Sequence, residues 1–494
     1  MRLFADVPAR RIFRKHTALV LVTCSVAMMV ASPVVFAEPP DSQDDLKAQI
    51  AQMRQQLQQQ QQLMQQMQQR LDELASKEKA QTESIAAQRE TAPESTATSS
   101  RLAESVKPGP PRPPSAPAGV TEPLPEGYVR LGDTGNLLKL DLVAQLDTMV
   151  DDTFMAQDLF LPSSIPVRGQ AFYGSGWRST LSGKQSIFRM DFRRDTPYGL
   201  LKVVYKNNFF GSSSGNMPYN LQYFYGELEA EHYSLLAGYY LSAFTDISAF
   251  PNTLDYEGPN SFTFKSGPQI RVSPILFRAG DGKLTLPMSL EKPDADIAVV
   301  EGFAAFSRRP DATIGLRWES PDWHVQWANL IRDLGVEKAT TGQSRTTSAF
   351  ATQFTGAASL FERDSVQGWA SFGKGYANFL QDISGLGLDA AFTPDIRLKA
   401  IEARGYGVGY THGWTKDLSS SASYGYLRMS PDSDLLLDQS LPKSTRFVAV
   451  NLAWQFSERA MFGVEYLWGE NLDLADASGQ GQRVQATIRY DLNP

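Results

Sequence analysis

Five basic side chains and three acids carry the only pattern in this chain that reads as a working site. Arg189 and Arg193 lie four residues apart before the turn in SIFRMDFRRDTPYGLLKVVYK, Lys202 and Lys206 lie four apart after it, and Arg271 follows in PQIRVS. That spacing places all of them on one face of extended strands. Asp246, Asp255 and Glu257 lie in the intervening segment TDISAFPNTLDYEGP. Base on one wall and acid on an opposing loop would set a transverse field across a narrow, water-filled passage. Basic walls attract anions, and arginine matches a carboxylate through two parallel hydrogen bonds. The plain alternative is that these charges solvate a lumen or pair with one another.

Strands must hold such a wall, and the sequence supplies them. Leu138, Leu140, Leu142, Ala144, Leu146, Thr148 and Val150 alternate with Lys139, Asp141, Val143, Gln145, Asp147, Met149 and Asp151. This is one strand with an oily face and a wet face. Alternation returns at Phe188 to Arg193, Leu201 to Lys206, Leu221 to Leu228, Tyr233 to Tyr240, and in later runs that end at Leu492. Thr196-Pro197-Tyr198-Gly199 is a tight turn, and Gly211 to Pro218 a longer loop. No run of 18 apolar residues occurs past the N-terminus, which excludes membrane helices but not a membrane β-barrel. Residues 127–494, at roughly 23 residues per strand and connection, suggest about 16 strands, the size that encloses water. The expected fold is all-β, a transmembrane antiparallel β-barrel preceded by an α-helical coiled coil. A soluble sandwich or solenoid would leave too many apolar faces exposed. Counting hairpins from a periplasmic N-terminus makes Tyr233 to Tyr240 the fifth strand. Leu241 to Pro268 is then the third external loop, expected to fold inward.

The N-terminal quarter is organised differently. Residues 1–37 read as a signal peptide: Arg10, Arg11, Arg14 and Lys15 precede the apolar stretch Ala18 to Val30, and Val35-Phe36-Ala37 suits cleavage. The only cysteine, Cys24, lies inside it. Removing this segment takes away Arg2, Arg10, Arg11, Arg14 and Lys15 against Asp6, moving the formal charge from −7 to −11. Nucleic acid is therefore not an expected partner. Residues 38–90 form the stalk. Within it Leu46, Ile50, Met53, Leu57, Met64, Met67, Leu71, Leu74 and Ile85 keep heptad phase through a Gln-rich run, as a coiled coil does. The bland reading of this tract is low-complexity disorder. Forty helical residues would reach about 60 Å. Residues 91–126 contain PGPPRPPSAP and form a Pro-rich linker.

Catalysis finds little support. The histidines are His16, His232, His324 and His412, with no metal-ligand spacing, and no GxSxG, HExxH or phosphate loop occurs. No enzyme activity, cofactor or metal is expected.

Several segments resemble the DcaP-like family of trimeric outer-membrane porins, named for dicarboxylate uptake. They are SIFRMDFRRDTPYG (186–199), LLAGYYLSAFTD (235–246), NTLDYEGP (252–259), PQIRVS (268–273), HVQWANLIRDL (324–334), SFGKGYANFLQD (371–382) and VGYTHGWTKDLSSSASYGYLRM (408–429). The likeness covers most of 128–490. It implies a homotrimer in the outer membrane of a Gram-negative cell, with a periplasmic coiled coil available for cell-wall contact. It also implies passive diffusion of small anions, dicarboxylates above all. The chain departs from the family pattern at Lys206-Asn207-Asn208, where acids are usual, and near Gln222, where arginine is usual. The C-terminus also departs: Leu492-Asn493-Pro494 stands where such barrels end on an aromatic residue. Competing readings are an oligosaccharide or phosphate channel, and a trimeric adhesin or envelope tether that uses the barrel as an anchor. A sugar channel would show lumen aromatics, whereas the aromatics here mostly take the lipid-side parity.

Overall fold

A computed structural model describes residues 124–492, apart from 133, 156–157, 213–215 and 299–301. The expected signal peptide, coiled-coil stalk and linker, up to residue 123, lie outside the described residues.

The described chain forms a closed antiparallel barrel of 16 strand lanes. Lane one is β2 (Asn136–Asp151). Lane two is broken into β3 (Arg178–Ser182) and β4 (Ile187–Thr196), which pair with the upper and lower halves of β2. β5 (Gly199–Asn208), β6 (Asn220–Glu229), β7 (Tyr233–Leu241) and β8 (Ser266–Ala279) follow. Two further broken lanes are β9 (Gly282–Thr285) with β10 (Met288–Glu291), and β11 (Phe303–Phe306) with β12 (Asp311–Glu319). The meander continues through β13 (Trp323–Lys338), β14 (Ser344–Leu360) and β15 (Asp364–Lys374). After a long loop holding the small hairpin β16 (Ala390–Phe392) and β17 (Leu398–Ala400) come β18 (Glu402–Gly413) and β19 (Leu418–Ser430). β20 (Pro442–Ser457), β21 (Ala460–Asp473) and β22 (Ser478–Asp491) complete the run. β22 pairs with β2 and closes the cylinder. Beyond the end of β22, β1 (Val129–Leu131) pairs with the start of β2, so the N-terminal segment fills out the last lane.

Parity decides what each side chain meets. Leu140, Leu142 and Leu146 are exposed on the outer face, as are Val450, Leu452, Val484 and Ile488. Asp147, Asp151, Gln485 and Thr487 are buried on the inner face. The oily face is thus outward and the polar face inward, as a barrel in lipid requires. Short turns (Pro197–Tyr198, Gly280–Asp281, Glu458–Arg459) cluster at one end and long loops at the other.

The loops build a core inside the barrel. Phe244 of the third long loop packs with Tyr376, Phe379, Leu380, Ile383 and Leu388 of the sixth, against inward Leu330, Leu427 and Met429. Hydrophobic burial, usually spent between sheets, here fastens loops to the lumen wall.

Candidate functional site

The third long loop, residues 242–265, leaves β7 and crosses the lumen before returning to β8. Its first fastening is Asp246. One carboxylate oxygen accepts from Arg317 Nη1 at 2.8 Å on β12. The other lies 2.9 Å from His324 Nε2 on β13 and accepts from Thr355 Oγ1 at 2.6 Å on β14. Burial alone would raise this carboxyl, but the His324 bond and the Arg317 charge outweigh it and hold it at about 2. Asp246 therefore stays ionised and pins the loop to three strands.

The far end of the loop is pinned on the opposite side. Glu465 on β21 accepts from the backbone N–H of Leu254 at 3.0 Å and of Asp255 at 2.7 Å. Asn451 Nδ2 donates to the Asn252 carbonyl at 2.9 Å. Asp255 pairs with Arg483 Nη1 at 3.4 Å on β22 and accepts from the N–H of Phe160 (3.2 Å), Glu257 (3.0 Å) and Gly258 (3.2 Å). Arg483 also grips Asp151 on β2 at 2.7 and 3.2 Å. Burial lifts the Asp255 carboxyl to about 6 although Arg483 pulls it down. Glu257 keeps some contact with solvent, yet protein surrounds it, and Asp255 and Asp382 repel its charge; burial first and these acids second push it to about 8. Tyr256 reaches back across the lumen, where its hydroxyl accepts from Gln222 Nε2 at 2.5 Å on β6 and its ring stacks on Phe210 at 4.5 Å.

Glycines on the inner face make this course possible. A Cβ at Gly409 would meet Pro251 at 2.5 Å, at Gly425 the Asn260 side chain at 2.3 Å, and at Gly463 Leu254 at 2.6 Å. Gly469 and Gly481 clear room in the same way for Phe160, Ile165 and Thr153 of the first long loop. At these points the loops lie against bare backbone of the wall.

The remaining wall, β4 to β8, is lined by the basic residues the sequence singled out. Arg189 and Lys206 are opposite one another across β4 and β5, as are Arg193 and Lys202. Arg189 pairs with Asp191 at 3.1 Å and lies 4.0 Å from Asp141. Arg193 also takes Asp191 at 3.1 Å and covers the Tyr128 ring at 4.7 Å. Lys202 pairs with Glu229. Lys206 sits 5.2 Å over the Tyr223 ring, with no carboxylate within 4.0 Å among the described residues. Arg271 donates to Gln269 Oε1 at 2.8 Å and to the Leu241 carbonyl, and lies 5.7 Å over Tyr240. Its hydrogen-bond partners are neutral oxygens, and among the described residues no carboxylate lies within 4.0 Å of it. A cavity of about 420 Å³ lies beside it, bounded by Glu227, Tyr240, Arg271, Asp246, Arg317 and Glu319.

The structure thus brings Arg189, Lys206 and Arg271 to one wall, with Arg193 and Lys202 toward the short-turn end. Asp246 and Asp255 are placed in buried ion pairs, and the exposed surface of the loop is Ile247, Ser248 and Asn252. Residues not singled out by the sequence are the far-wall partners Arg317, His324, Glu465 and Arg483, and an inward tyrosine cluster. Tyr223 and Tyr225 contact Tyr240 at 4.9 and 4.3 Å. The aromatic parity expected from sequence fails on β6, where Tyr223 and Tyr225 face inward and Phe224 outward. Among the described residues no group of three or more His, Cys, Asp or Glu is placed to hold a metal ion.

Comparison with known proteins adds the following. The family model "DcaP outer membrane protein" matches residues 174–492. The crystal structure of the outer membrane channel DcaP of Acinetobacter baumannii is similar, with 16% identity over 73% of this chain and 99% of that one, and a TM-score of 0.62. An anion-selective porin from Comamonas acidovorans matches at 11% identity over 72% of this chain and 100% of that one, with a TM-score of 0.49. No curated protein matches the chain.

Proposed function

The chain belongs to the DcaP outer membrane protein family, and from that premise we propose that this outer-membrane porin passes small anionic solutes, dicarboxylates among them, by passive diffusion. One observation carries the reading: the open wall holds Lys206 and Arg271 with no carboxylate within 4.0 Å among the described residues, beside Arg189. A cation left uncancelled next to a water-filled passage attracts an anion and replaces part of its hydration. Two such cations suit a solute with two carboxylates, and arginine offers the bidentate fork. No covalent step is part of this reading. Asp246 and Asp255 serve as fastenings that hold the loop backbone to the far wall, with the Tyr256 side chain reaching across to β6, and Glu257, neutral at pH 7, adds little opposing charge there.

Three copies of the chain are expected to assemble, with the coiled coil of residues 45–90 projecting into the periplasm toward the cell wall. Native mass spectrometry of the full chain tests the trimer, and deletion of 45–90 tests the tether alternative: a porin keeps its conductance. The tyrosine cluster Tyr223–Tyr225–Tyr240 favours a second reading, an oligosaccharide channel, since sugar rings stack on aromatic faces. Planar bilayers separate the two. Under a KCl gradient the reversal potential should report anion preference, and succinate should block current while maltose should not. Cation preference would overturn the proposal.

A further inference from the structure

Outside the barrel, at its long-loop end, three arginines face the surroundings. Arg404 on β18 and Arg428 on β19 are direct register partners, and Arg446 on β20 follows beside Tyr426. All three take the outward parity, opposite to the buried inward residues Ala403, Leu427 and Phe447. Like charges directly opposite on one sheet face are destabilising unless something shared neutralises them.

The neighbourhood does not supply that neutralisation. Arg446 pairs with Glu470 at 2.7 Å, and the nearby Lys374 lies 3.9 Å from Glu402. Among the described residues, Arg404 and Arg428 have no acid within 4.0 Å. The Arg428 Nε is shielded from solvent and has no hydrogen-bond partner. A concave surface of about 450 Å³ is lined by Arg404, Tyr406, Tyr424, Tyr426 and Arg446, and Arg428 borders it through its pairing with Arg404.

Height on the barrel identifies what this surface meets. From Arg446 to Phe456, β20 climbs about 34 Å at ~3.4 Å per residue, which a tilt of about 40° reduces to about 26 Å, the depth of an outer-membrane apolar belt. Val450, Leu452 and Trp454 are exposed along that span. The arginines therefore stand at the upper edge of the lipid, at headgroup level, with tyrosines beneath them as in an interfacial belt. Next to Arg404, a second groove of about 490 Å³ runs along Ala370, Phe372 and Tyr406 on the lipid side, room for an acyl chain.

We propose that Arg404, Arg428 and Arg446 bind the phosphate of an outer-leaflet lipid. The guanidinium forks match phosphate oxygens bidentately, one dianionic group offsets the facing arginines, and the tyrosine hydroxyls complete its hydrogen bonds.

The test uses the full chain in detergent, with native mass spectrometry after adding lipid A or its dephosphorylated form. The wild-type protein should retain the phosphorylated lipid at least tenfold more than the dephosphorylated one. The R404Q/R428Q variant should lose at least tenfold of that binding, with single-channel conductance unchanged because the site is outside the pore. Arg459→Gln, at the short-turn rim, should bind as wild type does. Equal retention of both lipids by the wild type would overturn the proposal without relying on any variant. So would full displacement by millimolar inorganic phosphate, which would mark a free-ion site, or a change in oligomeric state of the double variant, which would mark a subunit contact.

Discussion

Replacing Arg483 by methionine should loosen the third loop without unfolding the barrel. The side chain is 1% exposed, pairs with Asp151 and Asp255, and donates to the Asp158 carbonyl at 2.9 Å. Methionine keeps much of the volume and removes the charge. Removing one partner of a buried ion pair costs about 3–5 kcal/mol, which corresponds to about two to four powers of ten in the docking equilibrium of the loop end. Protonation limits that cost. The docked Asp255 carboxyl already lies at about 6, above its free value of 3.8, and it rises further without Arg483. The docked loop then binds its proton more tightly than the released loop, so docking is strongest at low pH and weakens as pH rises through the docked value. The variant should show noisier open-channel current and faster amide exchange over residues 252–258 at pH 8, both reverting toward wild type at pH 5. Exchange and noise equal to wild type at pH 8 would refute the fastening role. Loss that does not respond to pH would refute the part played by Asp255.

Other perturbations address the opposite wall and the loop bed. An anion about 6 Å from Lys206 gains about 0.7–2.8 kcal/mol for an effective dielectric constant between about 80 and 20, so Lys206→Ala should lower the anion-to-cation permeability ratio at least threefold, read from reversal potentials. Burial and the neighbouring acids push the Glu257 carboxyl to about 8, so it should gain negative charge between pH 7 and pH 9 and anion current should fall over that range. Glu257→Gln should make the pH profile shallower there. Gly409→Val places a Cβ 2.5 Å from Pro251; overpacking of about 1–3 kcal/mol should push the loop from its bed and raise single-channel conductance, while the heat-modifiable folded barrel band on a gel persists.

The barrel was legible because its signal is local. Alternation in LKLDLVAQLDTMVD assigns the oily face of β2 outward and Asp147 and Asp151 inward, and the strand itself does both. The inward loop was legible by counting hairpins to Tyr233–Leu241. The partners of its acids were not. Asp246 meets Arg317, His324 and Thr355, and Asp255 meets Arg483, at separations of 71 to 228 residues. No local rule pairs residues that only a closed barrel brings together. The parity of Tyr223 and Tyr225 was hidden for another reason: β6 carries aromatics on both faces, and a register shift opposite Lys206 and Asn207 disturbs the alternation.

One signal for the loop bed was present and is general in kind. In ARGYGVGY the glycines Gly405, Gly407 and Gly409 share the inward parity, while Tyr406, Val408 and Tyr410 face lipid. A strand gains nothing from glycine as such, so a run of them on one face implies that another backbone lies close to that face. The Cβ clashes with Pro251 and Ser261 bear this out. The opposite wall carries long side chains at the same parity: Arg189, Lys206, Tyr223, Tyr240 and Arg271. Two backbones cannot approach closely there, so side-chain volume by itself favours the glycine side for the loop. The ion pairs at Asp246 and Asp255 then fix its register along the bed. The division of the lumen into a filled half and a basic half thus follows from side-chain size first and charge second, which is why Gly409→Val should move the loop even with every ion-pairing residue intact.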